Sequence, residues 1–373
     1  MPRSIPPSAA RPMNSHSNSQ IPRSAMDPTV TDHMRSSSQS LPGHTTPHHP
    51  AGPRPLLLDG PGRWLYFYSL LRPALPWSVR LALRRLRAKH LRQRRSNSWP
   101  ISDGSGRPPE GWPGWPDGKQ FAFVLTHDVE GKRGQERCRV LAELDMRLGF
   151  RSSFNFVPEG AYRTSEHLRA FLREHGFEVA VHDLHHDGKL YRSRETFRNA
   201  SVKINQHLAS WGAVGFRSGF ALHNLRWIHD LHILYDSSAF DTDPFEPQPN
   251  GTNTIFPFWV PREHGAGYVE LPYTLAQDST LFFVLGEKTI DLWKHKLDWI
   301  AARGGLALVI VHPDYISFDG RQTSSEYAVD FYEDFLKYVT ARYRDSCWFA
   351  LPREVAEFVR RHKPTLPELA IVR

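Results

Sequence analysis

FAFVLTHDVE, residues 121–130, opens the regular part of the chain. Phe121 to Leu125 is an unbroken apolar run with no helical spacing, the pattern of a strand covered on both faces, as in parallel sheets. Within five more residues come His127, Asp128 and Glu130. Ionisable groups therefore gather where a buried strand surfaces, and in barrels and open parallel sheets alike that end collects reacting groups. Two later stretches close in the same way. EVAVHDLHHDG, residues 178–188, ends in His182, His185 and His186 with Asp183 and Asp187, and LALVIVHPDY, residues 306–315, ends in His312 and Asp314. Three such clusters at equivalent strand ends converge on one mouth.

Outward from these stretches, short apolar runs alternate with amphipathic ones. Strands are predicted at 121–126, 153–157, 178–181, 214–217, 233–236, 268–273, 307–311 and 348–351. Helices are predicted over 134–148, 165–175, 193–210, 224–231, 289–302 and 327–342, several closed by a glycine such as Gly149 or Gly304. Strands alternating with helices imply an α/β fold with a parallel sheet. About eight strands over roughly 250 residues favour a (β/α) barrel, with a doubly wound sheet as the alternative. The irregular stretch 240–267 would make a barrel uneven.

Two regions precede residue 121. Residues 1–55 are rich in Ser, Pro, His and Arg and hold too few apolar residues to offset chain entropy, so they read as a disordered tail. Residues 56–120 read as a basic helical segment followed by a Pro/Gly-rich linker. Within them, RWLYFYSLLRPALPWSVRLALRRLRAKHLRQRR, residues 63–95, runs from apolar to basic. It is too short of continuous apolar residues to span a bilayer. It fits either a helix lying on an anionic membrane surface or one packed on the main domain with a solvated basic end.

The net charge of +8 is unevenly placed. Residues 1–100 carry 15 Lys/Arg against 3 Asp/Glu, and the remaining 273 carry 32 against 36. The folded part is thus near neutral, and no nucleic-acid partner is expected for it. The two cysteines, Cys138 and Cys347, stand far apart and imply neither a disulfide framework nor a metal motif. No secretory segment follows the start, so a cytoplasmic or membrane-peripheral location is expected.

The residue types at the predicted mouth suit one chemistry. Two imidazoles and a carboxylate form a ligand set for a catalytic divalent metal with a position left open for water. His182 and His186, four apart, would face one ion if the chain turns after the strand, with His185 pointing away. Asp128 and Glu130 share a face of extended chain, so one can bind metal while the other stands beside the water. Such a metal brings the pKa of its water to about 7. A carboxylate and a histidine can then move protons to and from the reacting groups, which is the equipment for hydrolysing an amide or ester.

The order of these segments resembles the polysaccharide deacetylase family, carbohydrate esterases with a NodB-homology domain, from about Phe121 to Arg360. Thr126-His127-Asp128-Val129 resembles the first motif of that family. His182-x-x-x-His186 resembles the second, GFRSG around Arg217 the third, YDSSAFDTDP from Tyr235 the fourth and VIVHPDY around His312 the last. FALPREVAEFVRR resembles the closing strand and helix. The resemblance implies a deformed (β/α) barrel of seven or eight parallel strands that removes acetyl groups from N-acetylated sugars. It implies one divalent metal, zinc first, with cobalt, nickel or manganese as alternatives, on His182 and His186. Asp128 would be the base, Arg217 its orienting partner, His312 the acid and Asp236 the group tuning that acid. Val129 stands where the commonest pattern has its metal-binding Asp, so the third ligand is assigned to Glu130. Ser218-Gly219 replaces a proline, and His127 an aromatic residue. Two other readings stay open: another metal-dependent amidohydrolase, and a glycan-binding protein that kept the fold without the chemistry.

Overall fold

The computed structural model describes residues 77–366, apart from Pro249 and Glu263. The expected tail at 1–55 and the segment 56–76 lie outside the described residues. Among the described residues, nine strands form one sheet built around β1 (Phe121–Val129). Along one edge β1 pairs in parallel with β8 (Leu306–Val311). Along the other it pairs first with β9 (Cys347–Phe349) and then with β2 (Ser153–Phe156). From β2 the sheet continues in parallel through β3 (Glu178–His182), β4 (Gly215–Arg217), β5 (Tyr235–Asp236) and β7 (Tyr268–Glu270). The short β6 (Phe258–Val260) runs antiparallel on β7. The sheet curls until the chain beyond β7 meets β8, where the Thr274 and Leu275 amides donate to the Leu308 carbonyl at 3.1 Å. The result is the deformed barrel, with eight parallel strands in place of a doubly wound sheet.

All nine residues of β1 are buried, because helices cover one face and the barrel interior the other. Side chains alternate between the faces of a strand. Phe121, Phe123 and Leu125 pack outward with Ala307, Val309 and Val311. They meet α2 (Lys132–Leu148), α5 (Asp291–Arg303) and α6 (Val329–Tyr343) through Leu141, Trp293 and Phe335. Ala122 and Val124 face inward with Leu306, Leu308, Ile310, Tyr235 and Val269. The two cores thus fix the direction of every later residue on these strands. Asp128 follows Val124 and Thr126 into the interior. His127 follows Leu125 outward, where its Nε2 lies 3.0 Å from Asp145 Oδ2 in a pocket shared with Ser152 and Tyr332.

The remaining α elements are α3 (Glu166–Glu174), α4 (Arg194–Trp211) and α7 (Pro352–His362). No helix forms over 224–231. Asn224 Oδ1 accepts the amides of Arg226 and Trp227, and this local bond offers the backbone an alternative to helix, leaving one 3₁₀ turn, Trp227–Asp230. Cys138 and Cys347 are buried free thiols.

Ahead of the barrel lies α1 (Trp77–Arg94). Leu81 and Ala88 on its inner face are buried, Arg85 Nε donates to the Phe283 carbonyl at 2.8 Å, and Arg92 pairs with Glu287 at 2.6 Å. The linker that follows wraps the body. Trp99 meets the Phe245 ring at 4.7 Å, and Trp115 Nε1 donates to the Gly304 carbonyl at 2.7 Å.

Candidate active site

Asp128, His182, Arg217 and His312 all stand on or just beyond the carboxyl ends of adjoining strands, on the face that turns into the barrel. Asp128 is 3% exposed. Its Oδ1 accepts from Arg217 Nη1 at 3.0 Å and from Asn155 Nδ2 at 2.7 Å, while Oδ2 faces His182 Nε2 at 4.0 Å. Arg217 is fixed in turn by Thr126 Oγ1, the Ser237 carbonyl and Ser237 Oγ at 2.6–2.8 Å. Burial alone would raise the Asp128 carboxyl. The Arg217 guanidinium, then His182 and His312, more than reverse this and hold it at about 2. It is a carboxylate at any working pH.

His182 presents its Nδ1 to the Arg217 carbonyl at 3.1 Å. A carbonyl only accepts, so Nδ1 carries the proton and Nε2 presents a lone pair. That Nε2 is buried and has no hydrogen-bond partner among the described residues. Burial pulls the His182 pKa down, which favours the neutral ring. His186 arrives by a turn in which Asp183 and His186 both take left-handed backbone, φ 57° and 53°. Such conformations cost about 1–3 kcal/mol each and persist where the surroundings impose them. Here Asp183 accepts from the Leu184 and Gly219 amides, and Phe220 stacks on the His186 ring at 4.7 Å. A Cβ at Gly219 would sit 2.7 Å from Asp183 Oδ2 and 2.8 Å from His186 Cδ2. The small residue in Ser218-Gly219 is thus what lets this turn close.

Glu130 completes the cluster. Its Oε1 is 3.2 Å from His186 Nε2 and 3.7 Å from His312 Nε2. One ligand atom each from Glu130, His182 and His186 lie within 4.8 Å of one another. Donors around a tetrahedral zinc stand roughly 3.4 Å apart, as bonds of about 2.1 Å require. The three need only a small convergence to fit a cation, and the unpartnered lone pair on His182 is the atom such an ion would satisfy. Val129 packs in the outer core, so alternation along the strand carries Glu130, not residue 129, to this position.

Two groups beyond His312 aim Glu130. Asp314 accepts the Glu130 and Gly134 amides, each at 3.0 Å, and a Cβ at Gly134 would collide with that carboxylate. Tyr315 donates its hydroxyl to Glu130 Oε2 at 2.7 Å, leaving Oε1 for the histidines. Partners of this kind typically hold 10–100-fold of a site's metal affinity. Tyr315→Phe is therefore expected to weaken zinc binding by about 10-fold or more without changing the melting temperature by more than a few degrees. Unaltered affinity by competition titration would remove Tyr315 from this role.

His312 has a different acid partner from the one expected. Its Nδ1 lies 2.6 Å from Asp278 Oδ1, and its backbone amide donates to Asp278 Oδ2 at 2.8 Å. Tyr327 and the Ser279 amide also bond this carboxylate. Burial pushes the His312 imidazolium down, but Asp278 more than offsets that and the ring rises to about 10. Asp236 is not among the groups that raise His312. Tyr235 faces the barrel interior, so Asp236, next along the strand, points to the other side, in register with Glu270. Burial raises both of these carboxyls, Asp236 to about 6, and Ser238 bonds Asp236 Oδ1. Asp278 stands before a π turn, Ser279–Val284, with no strand or motif to mark it in the sequence. Asn155 had a faint signal, a lone amide in the apolar strand SFNF. His185 points away as expected, to the Glu159 carbonyl.

No protein-family model matches the chain, and no curated protein matches it in sequence. Solved structures do match in fold. A Mycobacterium smegmatis protein provisionally assigned as a polysaccharide deacetylase superposes with a TM-score of 0.54 at 20% identity, over 70% of this chain and 96% of that one. The peptidoglycan deacetylase PdaC of Bacillus subtilis matches with a TM-score of 0.40 at 11% identity, over 66% of this chain and 94% of that one. A CE4-family pseudoenzyme from Bacillus anthracis matches with a TM-score of 0.38 at 14% identity, over 65% and 66%. The chain has the polysaccharide deacetylase fold, and at these identities its chemistry rests on its own residues.

Proposed function

We propose that this chain is a metal-dependent hydrolase that removes acetyl groups from an N-acetylated sugar or polysaccharide. The observation that carries the proposal is the convergence of Glu130, His182 and His186 between two proton-handling groups tuned in opposite directions. When bound, a divalent cation supplies Lewis acidity, polarising the acetyl carbonyl and acidifying water. Asp128, ionised and held by Arg217 and Asn155, takes the proton of the attacking water. His312, kept protonated by Asp278, gives its Nε2 proton to the departing amine. Glu130 and His186 hold their side of the site through Tyr315, Asp314 and Phe220. The products are acetate and a free amino sugar.

The non-catalytic reading drew its support from Val129 and Ser218-Gly219. With Val129 in the outer core, Glu130 inside and Gly219 providing clearance for His186, those departures have another explanation.

The test pairs metal analysis with acetate release. The full chain is expected to bind one zinc and to release acetate from N-acetylglucosamine oligomers. His182→Ala is expected to lose more than about 100-fold in zinc affinity, beyond what loss of a supporting residue costs. Equal zinc content in both proteins, or acetate-free turnover of other amides by the wild type, would overturn the assignment.

A further inference from the structure

The outer face of α1 carries an apolar stripe that the barrel does not cover. Val79, Leu83 and Leu86 are 42%, 54% and 69% exposed and, spaced four and three residues apart, share one face. Among the described residues they are three of the five large hydrophobics left in the open, and the other two, Val140 and Val202, stand singly on α2 and α4. The opposite face of α1 holds Leu81, Ala88 and the half-buried Leu91 against the body. Basic residues border the stripe on both sides. Arg87 and Arg94 follow one edge and Lys89 the other; all three are exposed, and the helix contains no acidic residue.

We infer that α1 is a docking surface for an anionic phospholipid bilayer, which it meets lying in the interface plane. The stripe would enter the headgroup boundary while the flanking Lys and Arg side chains reach up to lipid phosphates. The alternatives fit the charge less well. A second copy paired through the same stripe would set one row of arginines against another. Residues 1–76 carry 7 Lys/Arg against 3 Asp/Glu and so offer no complementary charge. A bare polyanion would satisfy the bases and leave the three aliphatic side chains in water. Arg85 and Arg92 also tie α1 to the body at Phe283 and Glu287, so docking through this helix carries the barrel with it. None of the described helices is long and apolar enough to cross a membrane.

The experiment is flotation of the full-length protein with phosphatidylcholine vesicles, with and without phosphatidylglycerol. Wild type is expected to float with the anionic vesicles, to be left behind by the neutral ones, and to be released by high salt. Leu83→Glu/Leu86→Glu and Arg87→Glu/Arg94→Glu should each reduce the bound fraction at least about tenfold. The control Val140→Glu should not. Unchanged melting temperatures and zinc content keep the result separate from folding and from the proposed activity. The inference is overturned by any of three results: no binding to anionic vesicles, binding to neutral and anionic vesicles alike, or binding insensitive to Leu83→Glu/Leu86→Glu. It is also overturned if the chain dimerises through this face, so that those substitutions yield monomer while lipid is ignored.

Discussion

Replacing Asp128 by Asn is expected to lower acetate release by about three orders of magnitude while leaving zinc in place, the range over which a positioned proton acceptor contributes. The substitution preserves shape and retains an Oδ1 for the bonds from Arg217 and Asn155. It removes the one property that matters, the ability to take a proton. The cost in stability is a separate quantity. Arg217 would keep three oxygen partners, at Thr126, the Ser237 carbonyl and Ser237 Oγ, but would lose its buried counter-charge. Stripping one member of a buried pair costs about 3–5 kcal/mol, and the retained bonds make that an upper bound, so a lower melting temperature is expected together with a folded protein. Acid stability gives an independent check. With a folded pKa of about 2 against an ordinary value near 3.9, Asp128 contributes stability that is full above that ordinary value and lost as pH falls toward 2. The variant should lack this component of the acid transition. Acetate release by Asp128→Asn within a few-fold of wild type would show that another group accepts the proton.

What the sequence disclosed and what it withheld follow from one feature of strands. An apolar run buried on both faces is conspicuous, so β1, β3 and β8 and the clusters at their ends were legible from composition alone. Which face each end residue takes was not, because the direction of alternation depends on which of two cores a strand's neighbours join. Phe123 and Leu125 pack outward and Val124 inward. From that one assignment, Asp128 and Glu130 turn toward the site and His127 away from it. The same alternation places Asp236 on the wrong side of β5 to serve His312, although its motif order had suggested it. Asp278 was beyond reach for a different reason. It lies on no strand, and only the closure of the barrel across Thr274 and Leu308 brings the following turn against His312. Strand β6 is three residues of an aromatic-rich loop, FWV, whose strand character comes from pairing with β7 and not from any local pattern.

Asp278→Asn should move the alkaline limit of activity rather than simply reduce the rate. His312 is buried, and burial by itself pulls an imidazole below its ordinary value near 6.5. The carboxylate at 2.6 Å is what brings it up to about 10 and keeps an N–H on Nε2 at neutral pH. An amide of the same shape still bonds Tyr327 and the backbone, but it carries no charge to oppose the desolvation. The alkaline limb of acetate release should therefore fall well below 10, to a level supported only by the Glu130 and Asp128 carboxylates. At neutral pH the loss should approach about 100-fold at most, the usual contribution of a positioned acid, with partial recovery as the solution is acidified. Linkage supplies the second readout. A group whose folded pKa is raised contributes stability that is complete below its unfolded pKa and is lost as pH rises through the folded one. Wild type should therefore lose stability between about pH 6.5 and 10 in excess of the variant. A residue that merely braced the loop would lower activity by the same factor at every pH and leave both curves parallel. Parallel curves would remove the acid role from the His312–Asp278 pair and require another proton donor on this side of the cluster.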